Sequence, residues 1–320
     1  MSVLLTGGAG FIGSQVARHL LERGDEVVAL DNFDPYYDPQ IKRRNVEELL
    51  GRKAFTLREG DIRDRPLLEE LFTRHKFKAV IHLAARAGVR ASVENPLLTA
   101  QVNVEGTVAL LEAARRRNVR RFVFASSSSV YGERSAIPFR EDDRIDRPES
   151  PYAATKAAGE ALVWTYHHLF GLDTACLRFF TVYGPRQRPE MAIHYFTRLI
   201  ETGQEVPMYG DGSARRDFTY VDDIVDGIAR ALDRAKGFEI YNLGNSAAVK
   251  LIDLIAEIGK TLGKTPKIKP QPVQAGDVST TWASIDRAKE RLDWKPTTPL
   301  GPGLQKFVAW YRGEGRGPRK

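Results

Sequence analysis

The sequence predicts an α/β protein with a doubly wound parallel sheet and a smaller C-terminal domain. Two observations carry this prediction. Short apolar runs alternate with helical periods through the first half of the chain, and from about residue 184 the sequence becomes richer in proline and glycine. Strands that alternate with helices build a parallel sheet covered on both faces. A chain of 320 residues is long enough for such a sheet and a second domain.

The apolar periodicity places the individual elements. The predicted strands are residues 3–5, 26–30, 54–57, 79–83, 121–125 and 173–179, and the predicted helices include residues 13–23, 65–74 and 98–117. Residues 222–244 read as one more helix–strand unit that returns to the first domain. We therefore expect a nucleotide-binding domain at 1–180 with a returning segment of about 218–245, and a substrate domain at 181–320.

Composition narrows the class of protein. A hydrophobic content of 42% with 28% charged residues is typical of a globular chain. No apolar run approaches the roughly 20 residues of a membrane-spanning helix, and the N-terminus reads as a strand instead of a signal peptide. The single cysteine, Cys176, lies in an apolar stretch, where a packed and inert thiol is expected. A cytoplasmic enzyme without membrane contact is therefore predicted.

The formal charge of +7 raises the question of nucleic acid. The basic clusters at 115–117 and 120–121, however, fall at a predicted helix end just before a buried strand, where cations complement the helix dipole. Neither cluster is interleaved with aromatic residues. We expect no nucleic-acid partner and no metal site.

A glycine-rich loop joins the first strand to the first helix. Gly7, Gly10 and Gly13, with Phe11 and Ile12 between them, have the spacing that lets a backbone approach a pyrophosphate at a helix N-terminus. Such a loop alone could be a turn without a ligand, but here it stands at the required junction. The sequence therefore predicts a Rossmann-type dinucleotide site.

Other strand ends complete the predicted cofactor site. Asp31 ends the second strand 18 residues after Gly13, where a carboxylate accepts hydrogen bonds from the adenosine ribose and repels a 2′-phosphate, favouring NAD over NADP. Residues expected to flank the adenine or to line the ribose and phosphates are Asp61, Ile62, Leu83, Ala84 and Ala85.

Tyr152 and Lys156 form the predicted catalytic pair. Their i, i+4 spacing after Pro151 puts both side chains on one face of a helix start. A phenol with a pKa of about 10 is a poor base at neutral pH. A neighbouring ammonium and a positive nicotinamide ring are expected to lower that pKa and stabilise the phenolate.

A run of four serines, residues 126–129, closes the fifth predicted strand. Serine runs are commonly linkers, but this one falls at the carboxyl end of a strand, where ligands bind in α/β sheets. We expect Ser127 to relay a proton between a substrate hydroxyl and Tyr152.

These motifs together resemble the extended short-chain dehydrogenase/reductase family, in its sugar-nucleotide epimerase/dehydratase branch. The resemblance covers nearly the whole chain and includes Tyr131-Gly132, the segment 178–185 and the segment 210–218. It implies that a hydride leaves a sugar carbon for NAD and returns to it, that Arg216 binds the nucleotide diphosphate, and that the protein is a homodimer through helices near 98–117 and 151–170. Further cofactor contacts implied by the resemblance are Asn32, Asn103 and Phe179.

The serine loop distinguishes members of this branch. Dehydratases of the family carry Asp-Glu at the positions of Ser128 and Ser129, and UDP-glucuronate decarboxylases carry glutamate at the position of Ser129. Hydroxyls at these positions favour plain epimerisation. Thr181, where UDP-glucose 4-epimerases commonly have asparagine, resembles the UDP-glucuronate 4-epimerases, as do the segments 31–39, 87–90 and 274–277.

The predicted substrate is therefore a UDP-sugar, with UDP-glucuronate favoured and UDP-glucose or UDP-N-acetylglucosamine as the alternative. Ser127, Ser128 and Thr181 can donate hydrogen bonds to a sugar carboxylate. The remaining expected substrate contacts are Arg90, Ser129, Arg188, Val206, Met208, Arg216 and Asp277, with simple packing equally open for Val206 and Met208. A non-catalytic NAD-sensing scaffold is the alternative of another class, since fold does not fix function.

Overall fold

The computed structural model describes residues 1–133, 136–273 and 278–315. Its strands, in chain order, are β1 (Ser2–Thr6), β2 (Glu26–Asp31), β3 (Phe55–Glu59), β4 (Ala79–His82), β5 (Arg121–Ser127), β6 (Asp173–Phe179), β7 (Thr181–Tyr183), β8 (Glu205–Tyr209), β9 (Arg215–Tyr220), β10 (Phe238–Leu243), β11 (Ala248–Lys250) and β12 (Lys267–Gln271). The strands predicted from apolar runs agree with β1 to β6 to within about two residues at each end.

The α-helices are α1 (Phe11–Glu22), α2 (Pro39–Val46), α3 (Arg65–Arg74), α4 (Val89–Glu94), α5 (Pro96–Ala100), α6 (Gly106–Arg116), α7 (Pro151–Phe170), α8 (Ala192–Glu201), α9 (Val221–Arg234), α10 (Leu251–Leu262), α11 (Asp286–Leu292) and α12 (Leu300–Trp310). Short 3₁₀ helices occupy Glu47–Leu49 and Ser128–Tyr131, and π-helical turns occupy Gln101–Glu105 and Tyr311–Gly315.

The central sheet has seven parallel strands in the order β10-β6-β5-β4-β1-β2-β3. Its strands are apolar on both faces: in β1, Val3 and Leu5 enter one hydrophobic cluster and Leu4 enters the other. This alternation reflects the two-residue period of a strand covered by helices on each side. The predicted doubly wound α/β fold is confirmed.

The order of the strands reverses between β1 and β4, which places a crevice beyond their carboxyl ends. The glycine-rich loop follows β1 and the serine loop follows β5, so both lie at this edge. The helix–strand unit α9–β10 joins the sheet beside β6. Two smaller sheets, β11-β9-β7 and β12-β8, come from the second half of the chain.

The predicted helix 98–117 is interrupted, because residues Gln101–Glu105 form a π turn between α5 and α6. The turn contains Asn103, which is buried and makes hydrogen bonds with the backbone of Arg86. Thr107 Oγ1 donates to the Asn103 carbonyl at 2.6 Å. A π turn widens the helix locally, and here it accompanies a buried asparagine that ties the helix to the chain after β4.

Candidate active site

The glycine loop is packed too closely for side chains. A Cβ on Gly13 would lie 2.1 Å from the carbonyl oxygen of Gly7, and one on Gly7 would lie 2.8 Å from the amide nitrogen of Ala84. Gly7 also has a φ of 70°, which favours glycine. The N-cap of α1 is Gly10, which has no side chain to cap the helix. The first N–H groups of α1 therefore remain available to a phosphate.

Asp31, at the end of β2, holds the loop in place. Its carboxylate accepts hydrogen bonds from the amides of Ala9 at 3.1 Å and Phe33 at 2.9 Å. The ammonium of Lys42, a buried residue of α2, lies 3.4 Å from the same carboxylate. Lys42 was not identified from the sequence, because a lysine within Ile-Lys-Arg-Arg looks like an ordinary solvated helix residue.

The predicted cofactor residues, apart from Asn103, line one cavity of about 470 Å³. They are Gly7, Gly10, Phe11, Ile12, Gly13, Asp31, Asn32, Asp61, Ile62, Leu83, Ala84, Ala85, Tyr152, Lys156 and Phe179. Asn103 is buried and is not among the residues that line this cavity, and its side-chain amide donates to the Arg86 carbonyl and to Thr155 Oγ1. Its amide is committed to holding α7 and the chain after β4, so the structure gives it a supporting position.

Asp61 belongs to a charged group at the rim of this cavity. Arg63 makes a bidentate contact with Asp61 at 2.9 Å for each pair, and Asn32 Nδ2 donates to the same carboxylate. The hydrogen bonds from Arg63 lower the pKa of Asp61 to about 2. The carboxylate of Asp61 is therefore ionised near neutral pH.

Tyr152 and Lys156 lie on the first turns of α7, which begins at Pro151 and is capped by Ser150 Oγ accepting from the Ala153 amide. The ammonium of Lys156 donates to the Ala125 carbonyl at 2.7 Å and lies 5.9 Å from the centre of the Tyr152 ring. Burial lowers the pKa of Lys156 to about 8, against the opposing charge of Glu160.

Burial raises the pKa of Tyr152 above its ordinary value, while a hydrogen bond with Ser127 and the positive charge of Arg188 act in the opposite direction. The Lys156 ammonium donates to the Ala125 carbonyl. The expected lowering of the Tyr152 pKa by an ammonium and a nicotinamide ring together stays a prediction.

A buried ion pair between Glu160 and Arg178 links helix α7 to strand β6. Glu160, one turn after Lys156, accepts two hydrogen bonds from Arg178 of β6, at 2.9 and 2.7 Å, and one from Ser126 Oγ at 2.5 Å. Arg178 also donates to the Tyr131 hydroxyl at 2.9 Å. These contacts join α7, β5, β6 and the serine loop into one unit. The sequence analysis did not single out Glu160, although its position four residues after Lys156 is a signal for the same buried face.

The serine loop and β7 meet at the junction between this cavity and a second one of about 1260 Å³. Ser127, Ser128 and Ser129 line the first cavity, and Ser127 Oγ accepts hydrogen bonds from the Ser129 amide and hydroxyl. The residues that line both cavities are Tyr36, Gly88, Val89, Thr181 and Arg188. The first cavity falls within the range of about 300–1,000 Å³ that is typical of small-molecule sites, and the second is larger.

Arg188 lies at this junction together with Tyr36. Its guanidinium is 5.6 Å from the centre of the Tyr36 ring and pairs with Glu190 at 3.2 Å. Arg188 is one of the substrate contacts expected from the sequence. The structure places it between the two cavities, close enough to Tyr152 to affect its pKa.

The second cavity contains the predicted cations Arg90 and Arg216. Arg90 lies over the Tyr209 ring at 5.4 Å, and Arg216 donates to the Arg215 carbonyl at 2.9 Å. The carboxylate of Asp217, next to Arg216, is buried and accepts the amides of Asn245 and Ala283. Burial raises the pKa of Asp217 to about 6, and these hydrogen bonds limit the increase.

Two predicted substrate residues are placed outside the two cavities, and a third is not among the described residues. Val206 is completely buried in the hydrophobic core, in agreement with the packing alternative. Met208 packs against the same core, close to Gly212, and is absent from the residues that line the two cavities. Asp277 lies outside the described residues, with the rest of the segment 274–277.

Other features bear on the chemistry that the site can perform. Within the described residues there is no group of three or more His, Cys, Asp or Glu side chains that could hold a metal ion. Burial raises the pKa of the Cys176 thiol far above its ordinary value, so this thiol is not a ready nucleophile.

None of the helices that the structure describes is long and apolar enough to cross a membrane.

Comparison with known proteins identifies the family. The model of the NAD dependent epimerase/dehydratase family matches residues 3–244. UDP-glucuronate 4-epimerase 5 of Arabidopsis thaliana is 46% identical, over 100% of this chain and 77% of the relative.

Two solved structures have nearly the same fold. UDP-glucuronic acid 4-epimerase from Bacillus cereus, in complex with UDP-glucuronic acid and NAD, is 35% identical, with a TM-score of 0.92 over 98% of this chain and 99% of that one. UDP-glucose 4-epimerase of Thermotoga maritima, with UDP-glucose, is 33% identical, with a TM-score of 0.91 and the same coverage. The chain belongs to the NAD dependent epimerase/dehydratase family, and the resemblance noted in the sequence is confirmed.

Proposed function

We propose that this protein is an NAD-dependent enzyme that epimerises a UDP-sugar at C4, interconverting UDP-glucuronate and UDP-galacturonate. The main observation behind the proposal is that Tyr152, Lys156 and Ser127 line the same cavity as the glycine-rich loop, and that this cavity meets a second one, which contains Arg90 and Arg216, at Thr181 and Arg188. The relatives named UDP-glucuronate 4-epimerase support the substrate.

The residues present fit NAD. The close packing at Gly7 and Gly13 leaves room for a pyrophosphate but not for side chains, and the N-terminus of α1 faces the same space. Asp31 and Asp61 would hold the adenosine end, and Lys156 would hold the nicotinamide ribose. When bound, NAD takes up the C4 hydride of the sugar and returns it.

Tyr152 acts as the general base of the proposed reaction. Its phenolate accepts the proton of the C4 hydroxyl, directly or through Ser127, and gives the proton back when the C4 hydroxyl forms again. Burial raises the pKa of Tyr152, and the hydrogen bond with Ser127 and the charge of Arg188 oppose that increase. The positive nicotinamide ring, when bound, would favour the phenolate further.

Inversion at C4 requires the sugar to present its other face while the nucleotide stays bound. Arg216 and Arg90 line the second cavity, whereas Tyr152 lines only the first, and both arginines can bind a diphosphate. The 4-keto sugar turns about its diphosphate linkage and receives the hydride on the opposite face. No net oxidation occurs.

The junction between the cavities favours a uronate. Thr181, Ser127 and Ser128 offer hydroxyl donors, and the Arg188 guanidinium supplies the positive charge for a carboxylate. A 4-keto uronate is a β-keto acid and is prone to lose carbon dioxide. Ser129 stands where the decarboxylases of the family carry a glutamate, so no acid is in place to assist that loss. UDP-glucose remains the second candidate because of the likeness to the Thermotoga maritima structure with UDP-glucose.

A substrate panel tests the proposal. We expect kcat/KM for UDP-glucuronate to exceed the values for UDP-glucose and UDP-N-acetylglucosamine, with UDP-galacturonate as product and little UDP-pentose. The Thr181→Asn variant should lose more activity on the uronate than on UDP-glucose. Chromatography of the nucleotide sugars measures both. A preference for UDP-glucose would overturn the substrate, and turnover of none of the three would favour an NAD-sensing scaffold.

The assembly and location are proposed on separate grounds. We propose a homodimer through the helices near 98–117 and 151–170. Helix α7 exposes the large apolar side chain of Trp164, at 47%, and α5, where the first of these regions begins, exposes Leu97, at 77%. Sedimentation at about twice the 35.9 kDa chain mass would support it, and a monomer would contradict it.

We also propose that the chain divides into a domain formed by residues 1–180 with 218–245 and a second domain within residues 181–320. We further propose a cytoplasmic location, which suits the free thiol of Cys176.

A further inference from the structure

Lys42 is a buried cation in the wall of the cofactor cavity that the proposed mechanism does not use. Its side chain is only 11% exposed, and its ammonium lies 3.4 Å from the Asp31 carboxylate. It also lies over the Tyr37 ring, 5.3 Å from the ring centre. Asp31, Tyr37 and Lys42 all line the cavity. A cation and an anion therefore stand side by side where Asp31 is expected to meet the adenosine ribose.

Helix α2 fixes Lys42 in this place. The helix is capped by Asp38, whose carboxylate accepts from the Gln40 amide, and Asn45 of the same helix donates to the Ala9 carbonyl in the glycine loop at 3.1 Å. Because Ala9 in turn donates to Asp31, the loop, the carboxylate and α2 form one connected unit. The position of Lys42 thus depends on backbone and helix contacts as well as on its charge partner.

The charges of the pair have opposite effects on a 2′-phosphate. A carboxylate at this place repels it and a cation accommodates it, which is how Rossmann-type sites distinguish NAD from NADP. A lysine ammonium binds phosphate as a point charge. A group bound against the Asp31 carboxylate is within reach of an ammonium 3.4 Å away.

We propose that Lys42 is a second determinant of cofactor selectivity, which partly neutralises Asp31 and can bind a 2′-phosphate once the charge of Asp31 is removed. The inference rests on the NAD site proposed above. It implies that replacing Asp31 with an uncharged residue does more than relax the selectivity for NAD. The substitution leaves the Lys42 ammonium in place to bind the 2′-phosphate of NADP.

The test uses ligands without the nicotinamide, titrated calorimetrically into cofactor-free protein: 5′-AMP and adenosine 2′,5′-bisphosphate. Asp31→Asn keeps the side-chain shape and one acceptor oxygen, which can accept from the amide of either Ala9 or Phe33 but not from both. We expect it to shift the ratio of the two affinities towards the bisphosphate by at least tenfold. Adding Lys42→Met should reverse most of this shift. Taking the ratio cancels any general loosening of the loop.

The matched control is Arg43→Met. Arg43 is the next residue of α2, but its side chain is 48% exposed and pairs with Glu59 at 3.2 Å. In the Asp31→Asn background we expect it to change the affinity ratio less than twofold. NAD and NADP titrated into the same proteins should follow the same order.

A second variant covers the case in which Asp31→Asn does not fold. Lys42→Met alone leaves the negative charge of Asp31 without its cationic partner. Compared with the unmodified protein, this variant should show a ratio of bisphosphate affinity to 5′-AMP affinity that is about threefold lower. Equal ratios with and without Lys42 in either background would overturn the inference. If the unmodified protein bound neither NAD nor 5′-AMP, the proposed cofactor site itself would be wrong and the inference would fall with it.

Discussion

Tyr152 and Lys156 lie one helical turn apart on α7, yet their side chains have different immediate partners. The Lys156 ammonium donates to the Ala125 carbonyl, and Tyr152 makes a hydrogen bond with Ser127. The i, i+4 spacing predicted the shared helix face, since it follows from helix geometry. It could not predict the partner of the ammonium, because Ala125 is 31 residues away and its carbonyl is presented only by the end of β5.

Tyr152→Phe tests the general base. The substitution removes only the hydroxyl, so NAD and UDP should bind almost normally while turnover falls by about 10²–10⁴-fold. Tyr241→Phe is the control, because Tyr241 is a buried tyrosine of β10 in the hydrophobic core. Steady-state kinetics with calorimetric binding of NAD separates the two effects. Near-normal turnover of Tyr152→Phe would show that another group moves the proton.

Helix α7 carries Tyr152 and Lys156, the proposed catalytic pair, on its first turns and the buried carboxylate of Glu160 one turn later. The sequence signals for this helix were local: Ser150 and Pro151 begin it and Gly171 ends it with a φ of 68°. The interruption at Gln101–Glu105 had no such signal. It depends on Asn103 meeting Arg86 and Thr155, contacts that exist only after the elements pack.

Glu160→Gln tests how strongly the buried pair holds this helix. Arg178 is 2% exposed and would lose its charged partner, so we expect the free energy of unfolding to fall by about 3–5 kcal/mol. Glu112→Gln is the matched control on α6, where Glu112 meets Arg115 at 3.0 Å near the surface and should contribute less than about 1 kcal/mol. Urea unfolding measures both. Equal losses would mean that burial does not set the strength of the Glu160 pair.

The arrangement of the whole molecule follows from its parallel sheet. Because β1 and β5 both end at one edge, residues as distant as Gly7, Asp31 and Ser127 line a single cavity. The strand positions, and most of the residues that line this cavity, were predictable, since they depend on short apolar runs and turn residues. Lys42 and the junction position of Arg188 were not, because each depends on how the connections after a strand fold back over the cavity.

His82 links this core to the pH dependence of stability. Its ring is buried in β4, with Thr6 Oγ1 at 2.7 Å and Thr107 Oγ1 at 2.9 Å. Burial lowers the pKa of His82 to about 3, whereas an unperturbed histidine has a pKa near 6.5. Below pH 6.5 the unfolded chain takes up a proton at His82 that the folded chain refuses, so stability falls as the pH falls.

This group alone should contribute a slope of up to about 1.4 kcal/mol per pH unit between pH 6 and pH 4. His82→Gln should flatten that part of the profile, whatever its effect on stability at neutral pH. His168→Gln, at an exposed position, should leave the slope unchanged. Urea unfolding across this pH range provides the comparison. An unchanged slope in His82→Gln would contradict a neutral, buried imidazole.

The central claim, that the C4 hydrogen leaves the sugar and returns to it inside the enzyme, is tested most directly by running the reaction in deuterated water. UDP-glucuronate is converted to equilibrium, and the hydrogen at C4 of the UDP-galacturonate product is read by proton NMR. We predict that C4 keeps its protium fully, because the hydride stays in a cavity lined by Tyr152, Phe179 and Thr181 and never exchanges with solvent. Deuterium at C4 of the product would contradict the proposed mechanism.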